Sequence, residues 1–222
     1  MHANSRPVIS NQTCIHDQLS ALVNRHAKSE YLRPVAANNK IAFDEAISVW
    51  QAAGARPLII DAGCGVGLST RRLAQKYPDE FVIGIDQSAD RLSREVRWQG
   101  QLPENFIQVR ADLVDFWRLM HDADIRPDRH FLLYPNPWPK KSQLGRRWHG
   151  HPIFPTLLSL GGSIECRSNW KIYIEEFAAA ASQLITKPVH YEAFGGEWPA
   201  LTPFEEKYRT SGHSLWRCQL TL

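Results

Sequence analysis

Apolar positions along the chain alternate between two periods. Leu58, Ile59 and Ile60 form a short branched run of the kind a buried strand requires, and from Leu68 to Tyr77 the apolar residues recur at helical spacing. Phe81 to Ile85 is a second run of strand type, Phe106 to Val109 a third and His130 to Tyr134 a fourth, with a helix expected to start at Ala111-Asp112-Leu113. Later, Trp170 to Leu184 has the pattern of a helix whose buried side includes Phe177 to Ala181, and Leu215 to Leu220 that of a final strand. This succession predicts an α/β fold built on a doubly wound, mostly parallel sheet. Ahead of it, residues 1 to about 15 read as a mobile tail, and 16 to 53 as one or two helices broken near Pro34 with Ala-Ala-Asn-Asn as the junction. The expected division is therefore 1–53, tail and helices, and 54–222, the α/β domain.

The first strand runs into Asp61-Ala-Gly63-Cys-Gly65-Val-Gly67, so three glycines sit at a strand-to-helix turn. Glycines there open backbone angles closed to other residues and let a ligand approach the main chain, while the amides at the helix start attract a polar or anionic group. The second strand ends at Asp86, about twenty residues on, where an acid that holds ribose hydroxyls belongs. Asp112 follows the third strand and is read two ways, as an acceptor for an adenine amine or as a helix cap. The loop departs from the dinucleotide fingerprint, because its third glycine comes two residues after the second and an acid precedes the first. A pyrophosphate would repel Asp61, whereas a cationic amino-acid moiety would be held by it. S-adenosylmethionine carries an α-amino group, a sulfonium, ribose and adenine but no phosphate. Asp-x-Gly-x-Gly-x-Gly, then Gly84-Ile85-Asp86, then Ala111-Asp112-Leu113, resembles the class I methyltransferases over roughly residues 55 to 185. That resemblance implies a Rossmann-like sheet of seven strands and a donor pocket of Asp61, Gly63, Gly65, Gly67, Asp86, Gln87, Asp112 and Leu113.

Composition narrows the picture modestly. A chain of 222 residues with 43% hydrophobic content can bury one good-sized core, and a net charge of +3 leaves room only for a local basic patch. Cys14, Cys64, Cys166 and Cys218 are scattered without a C-x-x-C pair, which suits a reducing compartment and speaks against structural zinc; Cys64 is expected to be a small packing residue. The first thirty residues hold no apolar core of signal-peptide length, and no stretch reaches the roughly twenty apolar residues a membrane crossing needs. A cytoplasmic protein without a membrane association is expected. No metal is proposed: His149-Gly150-His151 lacks a third ligand at suitable spacing and is read as a loop pair near RNA. Trp50, Trp98, Trp117, Trp198 and Trp216 fall in helical or strand patterns and are expected in the core or lining a groove. No nucleophile elbow is present, which removes hydrolase chemistry.

The fourth strand leads into Pro135-Asn136-Pro137-Trp138-Pro139-Lys140-Lys141, with Arg146 and Arg147 shortly beyond. Prolines stiffen this loop, its place after the fourth strand puts it at the active edge of such a sheet, and four cations beside Trp138 and Trp148 suit a phosphate backbone with a base to stack upon. The stretch resembles the bacterial tRNA (guanine-N7)-methyltransferase family, whose fourth strand is followed by Asp-Pro-Trp-Pro-Lys-Lys and an Arg-Arg pair. A second landmark is Thr202-Pro-Phe-Glu205-Glu-Lys-Tyr208 with Gly212-His213, so the resemblance covers about residues 55 to 222. It implies transfer of a methyl group from S-adenosylmethionine to guanine N7 of tRNA. Lys140, Lys141 and Arg146 would contact RNA and Thr202 and Glu205 would hold the guanine; without the family, the last two read as a helix cap and its box partner.

The chain departs from the family at two positions, where Asn136 and Asn169 stand in place of aspartate. Asparagine keeps the shape and one acceptor but loses the negative charge, so its help to a developing cation falls. Asn136 is expected at the site of reaction. Asn169 is expected to cap the helix from Trp170, with a site role as the other reading. Two alternatives follow: an RNA-binding paralogue without efficient transfer, and a methyltransferase for another substrate. The oligomeric state, monomer or homodimer, is open.

Overall fold

The computed structural model describes residues 5–222. In chain order the elements are α1 (Leu19–Ala27), α2 (Ala37–Ala52), β1 (Leu58–Ala62), α3 (Leu68–Lys76), β2 (Phe81–Asp86), α4 (Ala89–Leu92), β3 (Phe106–Arg110) and α5 (Leu113–Asp122). They continue with β4 (Arg129–Leu133), 3₁₀ turns at Lys141–Arg146 and Trp148–Gly150, α6 (Phe154–Ser159), β5 (Ser163–Ser168), α7 (Lys171–Ile185), β6 (Tyr191–Phe194), α8 (Pro203–Thr210) and β7 (Leu215–Thr221). The seven strands are ordered β3-β2-β1-β4-β5-β7-β6, the mostly parallel α/β sheet expected. The chain forms two compact units, Arg33–Leu133 with Leu160–Gly162, and the residues up to Leu32 with Tyr134–Ser159 and Ser163–Leu222.

In the unit that begins at Arg33, β1 pairs in parallel with β2 and β4, and β2 with β3. Every residue of β1 and β2 is buried, as parallel strands covered on both faces require. Gly84 in β2 is needed for packing, since a Cβ there would lie 2.2 Å from the Thr70 hydroxyl on α3. The helix α2 is fastened to α5 by one buried carboxylate. Asp115, 1% exposed, accepts from Arg33 Nη2 at 2.7 Å, the Ala36 amide at 3.1 Å and Asn39 Nδ2 at 2.6 Å. The break near Pro34 is present, but Asn38 and Asn39 belong to the first turn of α2 and are not a junction.

In the other unit, β7 runs antiparallel to β5 and to β6, with Cys166 opposite Cys218. The helix α7, whose Tyr173, Ile174 and Phe177 are fully buried, packs on β5 and β7, and α1 packs on α7. Residues 1 to 4 of the expected tail lie outside the described residues. Beyond them the tail expectation is corrected: Gln12 is 4% exposed and its Nε2 donates to Glu176 Oε1 of α7 at 2.5 Å, as does the His16 amide at 2.9 Å. A polar tail looks solvated in sequence because its buried partner lies over 160 positions away.

Burial raises the Asp115 carboxyl, and the hydrogen bonds from Arg33, Asn39 and Ala36 more than reverse this, leaving it below its ordinary value. A lowered carboxylate pKa adds stability above the unfolded-state value and loses it as pH falls through the folded one. Asp115→Ala should therefore cost about 3 kcal/mol at pH 7, with the difference from wild type shrinking below about pH 4 in urea denaturation.

Candidate functional site

The loop between β1 and α3 is shaped by Gly63, Gly65 and Gly67, whose φ angles of 78°, 60° and 77° are all left-handed. At Gly67 close approach adds to this demand, because a Cβ would sit 1.4 Å from Gln108 Nε2. The loop amides are used internally. Gly63 and Cys64 donate to Ile85 O at 2.8 and 3.0 Å, Gly65 to Asp86 Oδ2 at 3.0 Å and Gly67 to Cys64 O at 2.9 Å. These four bonds turn the loop back on itself and onto the end of β2, and leave the amides that open α3 outside that network. Outward from Gly63 and Gly65 a Cβ would meet nothing within 4 Å, so a ligand has room against the main chain.

Behind the loop lies Asp61, 1% exposed, whose Oδ2 accepts from the Ser69 and Thr70 hydroxyls at 2.6 and 2.7 Å. Burial pushes its carboxyl up to about 6; the two hydroxyls oppose this and the charge of Asp86 adds to it. Asp86, 3% exposed, is fully engaged: Oδ1 accepts from the Ser88 amide at 2.8 Å, and Oδ2 from the Gly65 amide and Arg91 Nη1, each at 3.0 Å. The expected grip on two ribose hydroxyls therefore requires Arg91 to yield its place. Asp112 caps α5, accepting from the Val114 amide at 2.8 Å, with Arg33 Nη2 3.4 Å from its other oxygen. Leu113 is buried beside it, Gln87 is exposed with its carbonyl accepting from Arg110 at 3.4 Å, and Cys64 is buried as a packing residue. A site with two buried acids beneath a turn left open at Gly63 and Gly65 suits a ligand that carries a cation. Ser69, Thr70, Arg91 and Gln108 complete it and carried no signal in the sequence beyond helical or strand spacing.

In the other unit, the segment after β4 turns through left-handed Tyr134 and Trp138, with φ of 54° and 45°. Asn136, Lys140, Lys141 and Arg146 are exposed, and the Arg146 guanidinium lies 4.9 Å from the centre of the Trp138 ring. Arg147 is not a fourth surface cation. It is fully buried, with Nη1 2.5 Å from Glu176 Oε2, and its guanidinium stacks on Trp170 at 4.9 Å. His149 is likewise no loop histidine near RNA: it is buried with Nε2 2.9 Å from Glu176 Oε2, and burial, outweighing the pull of Glu176, holds its pKa low. Among the described residues no group of His, Cys, Asp or Glu is arranged to hold a metal ion, and the cysteines are free thiols. Trp117 is buried as expected, while Trp198 is 77% exposed with the Arg209 guanidinium 4.6 Å above its ring.

Asn169 does not cap α7, contrary to the expectation from its spacing. The N-cap is Trp170, whose amide donates to the Ser168 hydroxyl at 3.1 Å, and Asn169 Nδ2 instead meets His213 Nδ1 at 3.0 Å. Thr202 does cap α8, accepting from the Glu205 amide at 2.9 Å. Glu205 is fully buried with both oxygens engaged, Oε2 by Arg167 at 2.8 Å and Oε1 by the Glu197 amide at 2.7 Å. Arg167 also reaches Glu165 at 2.5 Å and Glu197 at 2.7 Å, and these acids, against the opposing effect of burial, raise its pKa further. The aromatic ring of Tyr134 lies 5.6 Å from that of Tyr208, and burial together with the charge of Glu205 raises its phenol.

Sheet order and glycine loop together define a class I methyltransferase, the class whose methyl donor is S-adenosylmethionine. Residues 55–218 match the model of the Methyltransf_4 family, described as "Putative methyltransferase", and the chain belongs to that family. Among curated relatives, the tRNA (guanine-N(7)-)-methyltransferase of Acinetobacter baylyi is 28% identical over 72% of this chain and 67% of that protein. That of Zymomonas mobilis subsp. mobilis is 26% identical over 86% and 87%. A solved structure described as that of an antibiotic-related methyltransferase superposes with a TM-score of 0.56 at 17% identity, covering 89% of this chain and 98% of that one, and shows the fold alone.

The charge state of Asp61 yields a measurable consequence. A cationic donor group favours the ionised carboxylate, so donor binding near pH 6 should release a proton, and affinity should fall about tenfold between pH 7.5 and pH 5 as Asp61 protonates. Calorimetry with S-adenosylhomocysteine in buffers of different ionisation enthalpy measures both. Asp61→Asn should lower affinity and flatten the profile; a wild-type affinity constant across that range contradicts the assignment.

Proposed function

We propose that the chain transfers the methyl group of S-adenosylmethionine to N7 of a guanine in tRNA. The observation that carries this reading is the exposed set Lys140, Lys141 and Arg146 around Trp138, on a loop whose sequence resembles that of the tRNA (guanine-N7)-methyltransferases. S-adenosylmethionine supplies an electrophilic methyl group on a sulfonium. Guanine N7 carries a lone pair and no proton, so no general base is required and the protein's task is alignment. Proximity and orientation account for about 7 to 11 kcal/mol of such a barrier.

On this reading Gly63 and Gly65 admit the donor against the main chain, Gly67 keeps the turn tight against Gln108 beside it, and Asp61 faces the α-amino group. Arg91 yields its place on Asp86 to the ribose, and Gln87, Asp112 and Leu113 flank the adenine. Lys140, Lys141 and Arg146 take phosphates, Thr202 and Glu205 hold the guanine edge, and Asn136 and Asn169 lie at the reacting base. Glu205 reaches a guanine only by exchanging the Glu197 amide for the base, since its other oxygen is held by Arg167. The deep, narrow groove of folded RNA hides N7, so the target base is unstacked or extruded on binding. A cytoplasmic setting accords with a tRNA substrate; among the described residues no helix is long and apolar enough to cross a membrane.

A second reading, an RNA-binding relative with weak transfer, is favoured by the neutral Asn136 and Asn169 alone. Incubation with donor and unmodified tRNA, followed by reduction and aniline cleavage, decides between them: strand scission at a guanine is expected. Intact donor affinity with no N7-methylguanosine on any tRNA selects the second reading. Asn136→Asp, at an exposed position where a unit charge at 4 Å is worth about 1 kcal/mol in water, should raise turnover by about fivefold at most and leave donor affinity unchanged. No gain in single-turnover rate removes charge at this position from the mechanism.

A further inference from the structure

Three successive carbonyls of the basic loop point into the protein instead of to solvent. Trp138 O accepts from Arg147 Nε and Nη2 at 3.1 and 3.0 Å, Pro139 O from the Ser10 hydroxyl at 2.5 Å, and Lys140 O from Arg147 Nη2 at 3.4 Å. Arg147 is itself held from two sides: Nη1 donates to Glu176 Oε2 at 2.5 Å and Nη2 to Gln12 Oε1 at 3.0 Å. Gln12 closes the ring. Its Nε2 donates to Glu176 Oε1 at 2.5 Å and to Cys14 O at 2.8 Å, and its amide donates to the Ser10 hydroxyl at 3.0 Å. His149 meets the same Glu176 oxygen as Arg147, so the carboxylate of α7 anchors the N-terminal segment and the loop together.

We infer that Ser10 and Gln12 are positioning residues for RNA, acting through the Trp138–Lys140 backbone that they and Arg147 hold inward. This rests on the reading of that loop as the RNA contact. With those carbonyls fixed, the side chains of Lys140 and Lys141 are exposed and Trp138 is kept at its left-handed φ of 45°, beneath the guanidinium of Arg146. A loop ordered in the free protein loses less conformational freedom when RNA docks, and affinity gains accordingly. The N-terminal segment is then part of the acceptor site although neither Ser10 nor Gln12 need touch the nucleic acid.

The test uses the full-length protein with Ser10→Ala, with Ser10→Ala and Gln12→Ala combined, and with Ser10→Thr, which keeps the hydroxyl. Three quantities are read: tRNA dissociation constant at fixed salt, donor affinity by calorimetry, and hydrogen exchange of the amides at 138 and 140–144. The double variant should weaken tRNA binding about tenfold, speed exchange in the loop and leave donor affinity within about twofold, with Ser10→Ala intermediate and Ser10→Thr close to wild type. Unchanged exchange and tRNA affinity overturn the inference, and so does a parallel loss of donor affinity, which marks a general folding element. Faster loop exchange in a protein whose wild-type form never bound tRNA overturns the acceptor reading itself, and the positioning role with it.

Discussion

A carboxylate taken out of water must be paired, hydrogen-bonded or protonated, and among the described residues five lie at 0 to 3% exposure: Asp61, Asp86, Asp115, Glu176 and Glu205. Each draws donors from outside its own strand or helix. Asp115 fixes α2 to α5, Asp86 ties the glycine loop to the end of β2, and Glu176 gathers Gln12, His16, Arg147 and His149 around α7. Glu205 joins the start of α8 to Arg167 on β5. The apolar strands supply the bulk of each core, while these acids decide where the polar connections close.

The way each acid is neutralised separates scaffold from site. Burial raises the Glu176 carboxyl, and His149 and Arg147 reverse this so far that it falls to about 2. Asp61 receives only two hydroxyl hydrogens from protein groups, and burial keeps it at about 6. An acid held so near neutrality, behind a loop whose outward side is open, has electrostatic capacity left for a ligand cation. Asp86 has three donors, of which the guanidinium of Arg91 is half exposed and bonds one oxygen only. The sequence of charges along the motif is therefore less informative than the count of donors each acid has already found.

That difference sets what the sequence could disclose. Strand runs, the glycine turn, the capping role of Asp112 and Thr202 and the buried Cys64 depend on local periodicity or on bonds within three residues, and were legible. Arg147 and His149 were not, because adjacent cations look like a solvated basic run until Glu176, 27 and 29 positions away, is seen between them. The tail was misread for the same reason, since Gln12 becomes structural only through Arg147 and Glu176. Asn169 fitted a helix start by spacing, but Ser168 already satisfies the first amide, and its side chain was left to find His213.

The asparagine at 169 is matched to its surroundings and is more than a neutralised aspartate. With Asn169 Nδ2 donating to His213 Nδ1, the imidazole proton resides on Nε2, which lies 2.9 Å from the Ser5 carbonyl and donates to it. An aspartate would need a proton on Nδ1, leaving Nε2 to face a carbonyl bare unless the ring became an imidazolium, stacked as it is on Tyr208 at 5.4 Å. Asparagine thus selects one neutral tautomer and joins the N-terminal segment to the turn after α8 without adding a charge pair. Methyl transfer to an unprotonated ring nitrogen has no proton to remove, so a carboxylate there would act only through its field. Under the proposed function, exchanging that field for a fixed tautomer and a closed hydrogen-bond chain trades electrostatic help for geometry, in keeping with a reaction whose chief demand is alignment.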